Sequence, residues 1–274
     1  MEQLLQDGRI ALCVGKILTE RIGVAETDDA VVINAGIRGD TAVQGLARLE
    51  RDALWYEPQI VISAFGLNDG NLGYWPLDIL RERELYYERT LAGRVESWLE
   101  HSHLYLTVRA RGRRLLRRLG WQPAVPVVNM AQEPQPRVSR DGFATAQEQL
   151  VARIYQHGSA AFVLTTTPVT DAFRADLEPE QRQAQLAAYD EYNRVIRTAA
   201  AQHGAYLVDI QAILSHEVRS DPGALLAADG VHLTAAGQRR VALTVLQALE
   251  ASGLIDTVIA SRLPAAKQSP YRGR

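Results

Sequence analysis

Short runs of β-branched and apolar residues alternate along this chain with stretches whose apolar positions recur every three to four residues. Five short runs read as strands, over 10–14, 31–35, 60–65, 160–165 and 205–209. Helical spacing predicts helices over about 41–56, 143–157, 180–203 and 235–251. Strands of nearly continuous apolar character, separated by helices, belong to a parallel sheet covered on both faces, so the pattern predicts an α/β fold. The helix after Asp40 has the clearest start. Thr41 stands where an N-cap belongs and Gln44 at the capping-box position. Its Val43, Leu46, Leu49 and Ala53 then share one face, which should pack on the sheet.

Residues from about 72 to 140 interrupt the alternation. They hold Tyr86-Tyr87, a helical pattern over 78–100, and the arginines 109, 111, 113, 114, 117 and 118. Pro123, Pro126, Pro134 and Pro136 then punctuate a loop ending near Arg137. An insertion of this size between two core strands usually forms a cap or lid over the C-terminal edge of the sheet. The arginine run reads first as the solvated face of an amphipathic helix, with Leu115, Leu116 and Leu119 turned inward. The alternative is a contact with an anionic ligand, a partner or a membrane surface. Residues 1–255 read as a single domain, and 256–274, with Pro264, Pro270 and Gly273, as a poorly ordered tail. No internal repeat is visible.

Composition narrows the function classes. A content of 47% hydrophobic and 23% charged residues in 274 is ordinary for a globular chain. A net charge of -2 supplies no general attraction to nucleic acid or to an anionic membrane. Cys13 is the single cysteine, so no intrachain disulfide and no cysteine-based zinc site can form. Between Leu12 and Val14 it reads as a core thiol. No apolar run approaches the roughly 18 residues of a membrane span, and Met1-Glu2-Gln3 lacks the basic start of a signal peptide. The expectations are a cytoplasmic location, no membrane insertion and no metal or cofactor, with a homo-oligomer left open.

Three blocks carry chemistry. Asn34-Ala35-Gly36-Ile37-Arg38-Gly39-Asp40-Thr41 follows the second predicted strand, and Gly66-Leu67-Asn68-Asp69 follows the third. Asp229-Gly230-Val231-His232 precedes the last helix. Open parallel sheets build their sites at the C-terminal ends of strands, so the blocks can converge. Gly39 can offer a backbone N–H with no side chain in the way, and Asn68 a side-chain amide. Two such donors suit an oxyanion hole. Asp229 and His232 can pair as carboxylate and imidazole, the first orienting the second as general base. Singly, each has a plainer reading: a loop glycine, a turn after a strand, a helix cap with a surface histidine. Their order and placement at strand ends argue for acyl transfer.

In these blocks the chain resembles the SGNH (GDSL-type) hydrolases, from about Arg9 to Leu249. The run from Val32 to Thr41 with Gln44-Gly45-Leu46 is similar to the family's second block, Gly66–Asp69 to its third, and Asp229–His232 to its fifth. Phe162-Val163-Leu164-Thr165-Thr166-Thr167-Pro168 is similar to the strand-and-proline segment between them. The resemblance implies a three-layer αβα sandwich on a flavodoxin-like, five-stranded parallel sheet, for which we expect the order 2-1-3-4-5. It implies Gly39 and Asn68 as oxyanion donors and His232 as a base oriented by Asp229. It further implies hydrolysis of carboxylic esters, with small-molecule, lipid or carbohydrate acyl groups as substrates and no metal.

One block departs from the pattern. The family's first strand ends in Gly-Asp-Ser, whose serine is the nucleophile, whereas here Gly15 is followed by Lys16 and Ile17. Residues 16–23 resemble the second half of the family's first helix, so the simplest account is a deletion that removed the nucleophile turn. Ile17 cannot attack an acyl carbon, and Lys16 has no base beside it. Thr19 and Ser63, the nearest hydroxyls, read as structural. The expectation is an ester hydrolase domain with impaired turnover. The alternative is an inactive family member that binds a ligand or partner through its arginine-rich insertion.

Overall fold

The computed structural model describes residues 32–37, 39–73, 134–175 and 177–255, together with 108 and 111. In chain order the described elements are α1 (Ala42–Asp52), a 3-10 turn (Leu54–Tyr56), β1 (Ile60–Ala64), β2 (Leu72–Gly73), β3 (Gln135–Pro136) and α2 (Arg140–Gln156). There follow β4 (Ala160–Leu164), α3 (Pro179–His203), β5 (Tyr206–Val208), α4 (Ile210–Ser220), α5 (Pro222–Leu225) and α6 (Ala235–Ala251). β1, β4 and β5 form a parallel sheet in that order, with Ile62 opposite Phe162 and Phe162 opposite Tyr206. These are the third, fourth and fifth predicted strands, in the expected sequence of neighbours.

Helices cover both faces, as the buried residues of β4 require. Ala161 and Val163 point into a cluster with Leu46 and Leu49 of α1, Phe143 and Leu150 of α2, and Ile196 of α3. Phe162 and Leu164 point the other way, against Leu214 of α4 and Val241, Val245 and Leu246 of α6. A strand buried on both sides between two helical layers is the middle of an αβα sandwich. The fold class is the α/β architecture that the pattern implies.

The local readings fare unevenly. α1 begins behind the expected capping box: Gln44 N–H donates to the Thr41 hydroxyl at 3.5 Å, and Thr41 N–H to the Gln44 side chain at 3.1 Å. It ends at Asp52 rather than 56, because Ala53 leaves helical geometry and a 3-10 turn follows. α2 begins three residues before the expected helix, capped by Ser139. α4 and α5 were not expected from the sequence, although Asp209 and Asp221 cap them.

Residues 32–37 form no strand, and Val32 and Ile33 are 42% and 45% exposed. A strand needs a paired neighbour, and in the expected order that neighbour is the first strand. The reading of 10–14, Cys13, Gly15–Lys16 and Thr19 lies outside the described residues. So do the interior of the 72–140 insertion, its arginine run apart from Arg111, and the 256–274 tail. The two ends of the insertion are described, and they meet: Leu72 pairs with Pro136 and Gly73 with Gln135, antiparallel. Ser63 is buried within β1, opposite Val163. Among the described residues, no helix is long and apolar enough to cross a membrane.

Candidate active site

The second and third blocks lie side by side. Gly39 has φ +80°, a left-handed conformation that glycine adopts without strain. Arg48, one side of α1, holds its loop by donating to the Asp40 carboxylate at 2.7 Å and to the carbonyl of Ala35. Arg137 donates to the carbonyl of Gly39 at 2.6 Å. From the turn after β1, Asn68 Nδ2 donates to the carbonyl of Asp40 at 3.0 Å. The amide carries two hydrogens, so this bond leaves one to aim elsewhere.

Asp69 is completely buried, and its two oxygens accept the N–H groups of Ala42 at 2.8 Å and Gly66 at 3.0 Å. Burial pushes its carboxyl up to about 6, although those N–H groups and the charge of Arg137 pull it down. The long helix α3 floors this region. Its Gln185 accepts from Leu72 N–H at 2.7 Å and donates to the Gly70 carbonyl at 2.8 Å. Its Asn193 accepts from Thr166 N–H at 2.8 Å, and its Tyr192 hydroxyl donates to the Val138 carbonyl.

The fifth block is a closed turn ahead of α6. Asp229 Oδ2 lies 2.6 Å from His232 Nδ1, while Oδ1 accepts the N–H groups of Val231 at 3.1 Å and His232 at 3.0 Å. Partial burial alone would raise the Asp229 carboxyl, but the His232 and Val231 N–H groups and the imidazole outweigh it and hold it below the usual range. Both side chains are partly exposed, His232 by 41% and Asp229 by 49%. Gly230, at φ +73°, lets the turn press against the loop after β4: Thr170 N–H donates to the Gly230 carbonyl at 3.0 Å.

That loop also reaches the residues that follow the third block. Arg174, itself left-handed at φ 55°, donates from Nη1 toward Asn71 Oδ1 at 3.4 Å and the Leu72 carbonyl at 3.3 Å. The loops of Gly39 and Asn68 are thus joined through the Asp40 carbonyl, and the Asp229–His232 turn touches residue 170 of a loop whose Arg174 meets Asn71 and Leu72. Asn68 lies past the C-terminal end of β1, Gly39 just ahead of α1, and Asp229 and His232 just ahead of α6. The sequence reading gave no role to Asp69, Arg137, Arg174 or Asn193. Asp69 had a signal in its place beside Asn68, whereas the other three had none. Among the described residues, no three His, Cys, Asp or Glu side chains gather into a set that could hold a metal ion.

The αβα sandwich has counterparts among known proteins. The sequence model of the GDSL-like lipase/acylhydrolase family matches residues 15–240. No curated protein sequence matches the chain. Among solved structures, a lipase/acylhydrolase from Enterococcus faecalis is similar at 17% identity and TM-score 0.54, over 89% of this chain and 86% of that one. An acetyl xylan esterase is similar at 16% identity and TM-score 0.54, over 89% of this chain and 94% of that one. A mutant of an acetyl-xylooligosaccharide esterase from Geobacillus is similar at 21% identity and TM-score 0.52, over 87% and 79%. At such identities the structures speak for the fold, and the sequence match, which spans most of the chain, supplies the family: this chain belongs to the GDSL-like lipase/acylhydrolase family.

Proposed function

We propose that the chain binds carboxylic acyl esters among Gly39, Asn68, Asp229 and His232, and that its hydrolytic turnover is impaired because Gly15 runs straight into Lys16-Ile17, without the family's nucleophile turn. The observation that supports this best is the 2.6 Å contact between His232 Nδ1 and Asp229 Oδ2. A carboxylate held below its usual range accepts Nδ1–H, which fixes the tautomer and leaves Nε2 as the basic nitrogen. The Gly39 N–H and the second hydrogen of the Asn68 amide are the donors for charge developing on the acyl oxygen. Without a serine hydroxyl, the imidazole has only water to activate. Loss of a triad nucleophile typically costs several orders of magnitude in rate, leaving what oxyanion donors and binding supply.

For the substrate we favour a small acyl group on a carbohydrate. The acetyl xylan and acetyl-xylooligosaccharide esterases share the fold, and this extension from them is our own. The test is hydrolysis of p-nitrophenyl acetate and of an acetylated xylooligosaccharide by the full chain and by His232→Ala, with ligand-induced shifts of the His232 ring followed by NMR. Binding without turnover above the variant is the expected result. Robust turnover that disappears in His232→Ala would overturn the impairment and call for another nucleophile.

A further inference from the structure

The two candidate oxyanion donors sit on different loops, and one buried side chain holds both. Asp69 accepts the N–H of Ala42 on one oxygen and of Gly66 on the other. Ala42 opens α1 three residues after Gly39, and Gly66 opens the turn that carries Asn68. The bond from Asn68 Nδ2 to the Asp40 carbonyl ties the same two loops a second time. A third segment joins through the Asp69 main chain, whose carbonyl accepts Val138 N–H at 3.1 Å. Beside Val138, Arg137 donates to the Gly39 carbonyl.

We propose that Asp69 is a positioning residue, which sets the separation and aim of the Gly39 N–H and the Asn68 amide by fastening their loops to one buried carboxylate. It rests on the acyl-ester reading above, because the spacing matters only if both donors serve one oxyanion. The chemistry requires a carboxylate. Two oxygens can each accept one N–H, and bonds to an ionised acceptor are the stronger kind. An asparagine there would offer one acceptor oxygen and leave the other buried N–H facing a donor.

The same geometry makes the tie sensitive to protons. A protonated carboxyl turns one oxygen into a hydroxyl and weakens one of the two bonds. Arg137 on the 134–139 segment is the charged group that acts on Asp69. On the α1 side Asp40 and Arg48 are paired with each other, and from α3 the Tyr192 hydroxyl is engaged by Val138. Tyr189 of α3 lies buried near Gly70, and its own phenol is pushed up by burial, so it stays neutral over the range concerned. Asp69, with its carboxyl near about 6, is therefore the group that titrates in this cluster.

The experiment is a titration of the full ¹⁵N-labelled chain from about pH 4.5 to pH 8, followed by NMR at four sites. These are the backbone amides of Gly39, Ala42 and Gly66 and the side-chain amide of Asn68. All four should move with one midpoint at about 6, and the transition should vanish in Asp69→Asn. If Ala42 and Gly66 titrate but Gly39 and Asn68 stay still, Asp69 is a tether without influence on the donors and the proposal fails. It fails equally if none of the four titrates near that midpoint. Should Asp69→Asn not fold, the curves of the unaltered chain decide alone. Turnover is not needed for any of these readouts. A chain that shows the shared transition but binds no acyl ester keeps the coupling and loses the ester reading, so the two failures are distinguishable.

Discussion

Replacing Gly230 with alanine places a methyl group where the Asp229–His232 turn meets the loop after β4. The added Cβ would lie 2.3 Å from Thr170 Oγ1, 2.7 Å from the backbone nitrogen of Phe173 and 3.0 Å from Ala172 Cβ. The threonine hydroxyl can rotate away, but the Phe173 main chain must move. The residue also sits at φ +73°, which costs an L-residue about 1–2 kcal/mol by itself. Overpacking adds about 1–3 kcal/mol, for a total of roughly 2–5 kcal/mol. Gly253 isolates the two contributions, for it has φ +70° with nothing within 4 Å of the added atom. Gly253→Ala should therefore lose only the conformational part. Urea unfolding of the three proteins, at matched m-values, reads the difference, which should be about 1–3 kcal/mol. Combining Gly230→Ala with Thr170→Ala should recover part of the loss and leave the backbone share. Equal destabilisation by Gly230→Ala and Gly253→Ala, within about 0.5 kcal/mol, would refute the packing at this turn.

Two further outcomes concern the buried carboxylate and the proposed loss of the nucleophile turn. Asp69, raised to about 6 from about 3.9 in the unfolded chain, is favoured protonated in the native state, so its contribution is full below pH 4 and is lost as pH rises through about 6. The stability of the chain relative to Asp69→Asn should thus fall by about 2 kcal/mol between pH 4 and pH 7, and a flat difference in urea unfolding would contradict a buried ionisation. A Gly-Asp-Ser turn inserted between Gly15 and Lys16 should produce p-nitrophenyl acetate hydrolysis and raise the melting temperature, whereas Lys16→Asp with Ile17→Ser should do neither. If the substitutions alone restore activity, the deletion account is wrong, and if neither protein turns over, the missing serine is not the sole defect.

What could be read from the sequence was what neighbouring residues decide. The capping box of Thr41 and Gln44 and the apolar runs of β1, β4 and β5 are local patterns, and the structure carries them within a residue or two. α4 escaped because Ile210, Leu214 and Val218 give it one buried position per turn, too thin a stripe to mark a helix on its own. β2 and β3 are two residues each and have no periodicity to find. In the candidate site, Asn68, Asp229 and His232 were visible as residue types in a known order. The task of Asp69 was hidden because one of the two N–H groups it accepts belongs to Ala42, 27 residues away in sequence. Arg137 lies 98 residues from the Gly39 carbonyl it meets, and only the folded chain brings them together.

The pairing of Leu72 with Pro136 and of Gly73 with Gln135 makes everything between them a detour that departs and returns at one doorway. Closing a loop costs only about 0.6 kcal/mol more for each doubling of its length. The stretch can therefore lengthen, shorten or be exchanged with little charge to the sandwich beneath, provided the doorway stays shut. Evolution can then vary the intervening segment while the loops of Gly39 and Asn68 stay where they are. For an engineer, Gly73 and Gln135 are natural splice points, where a foreign segment or a short turn could be grafted onto an unchanged base.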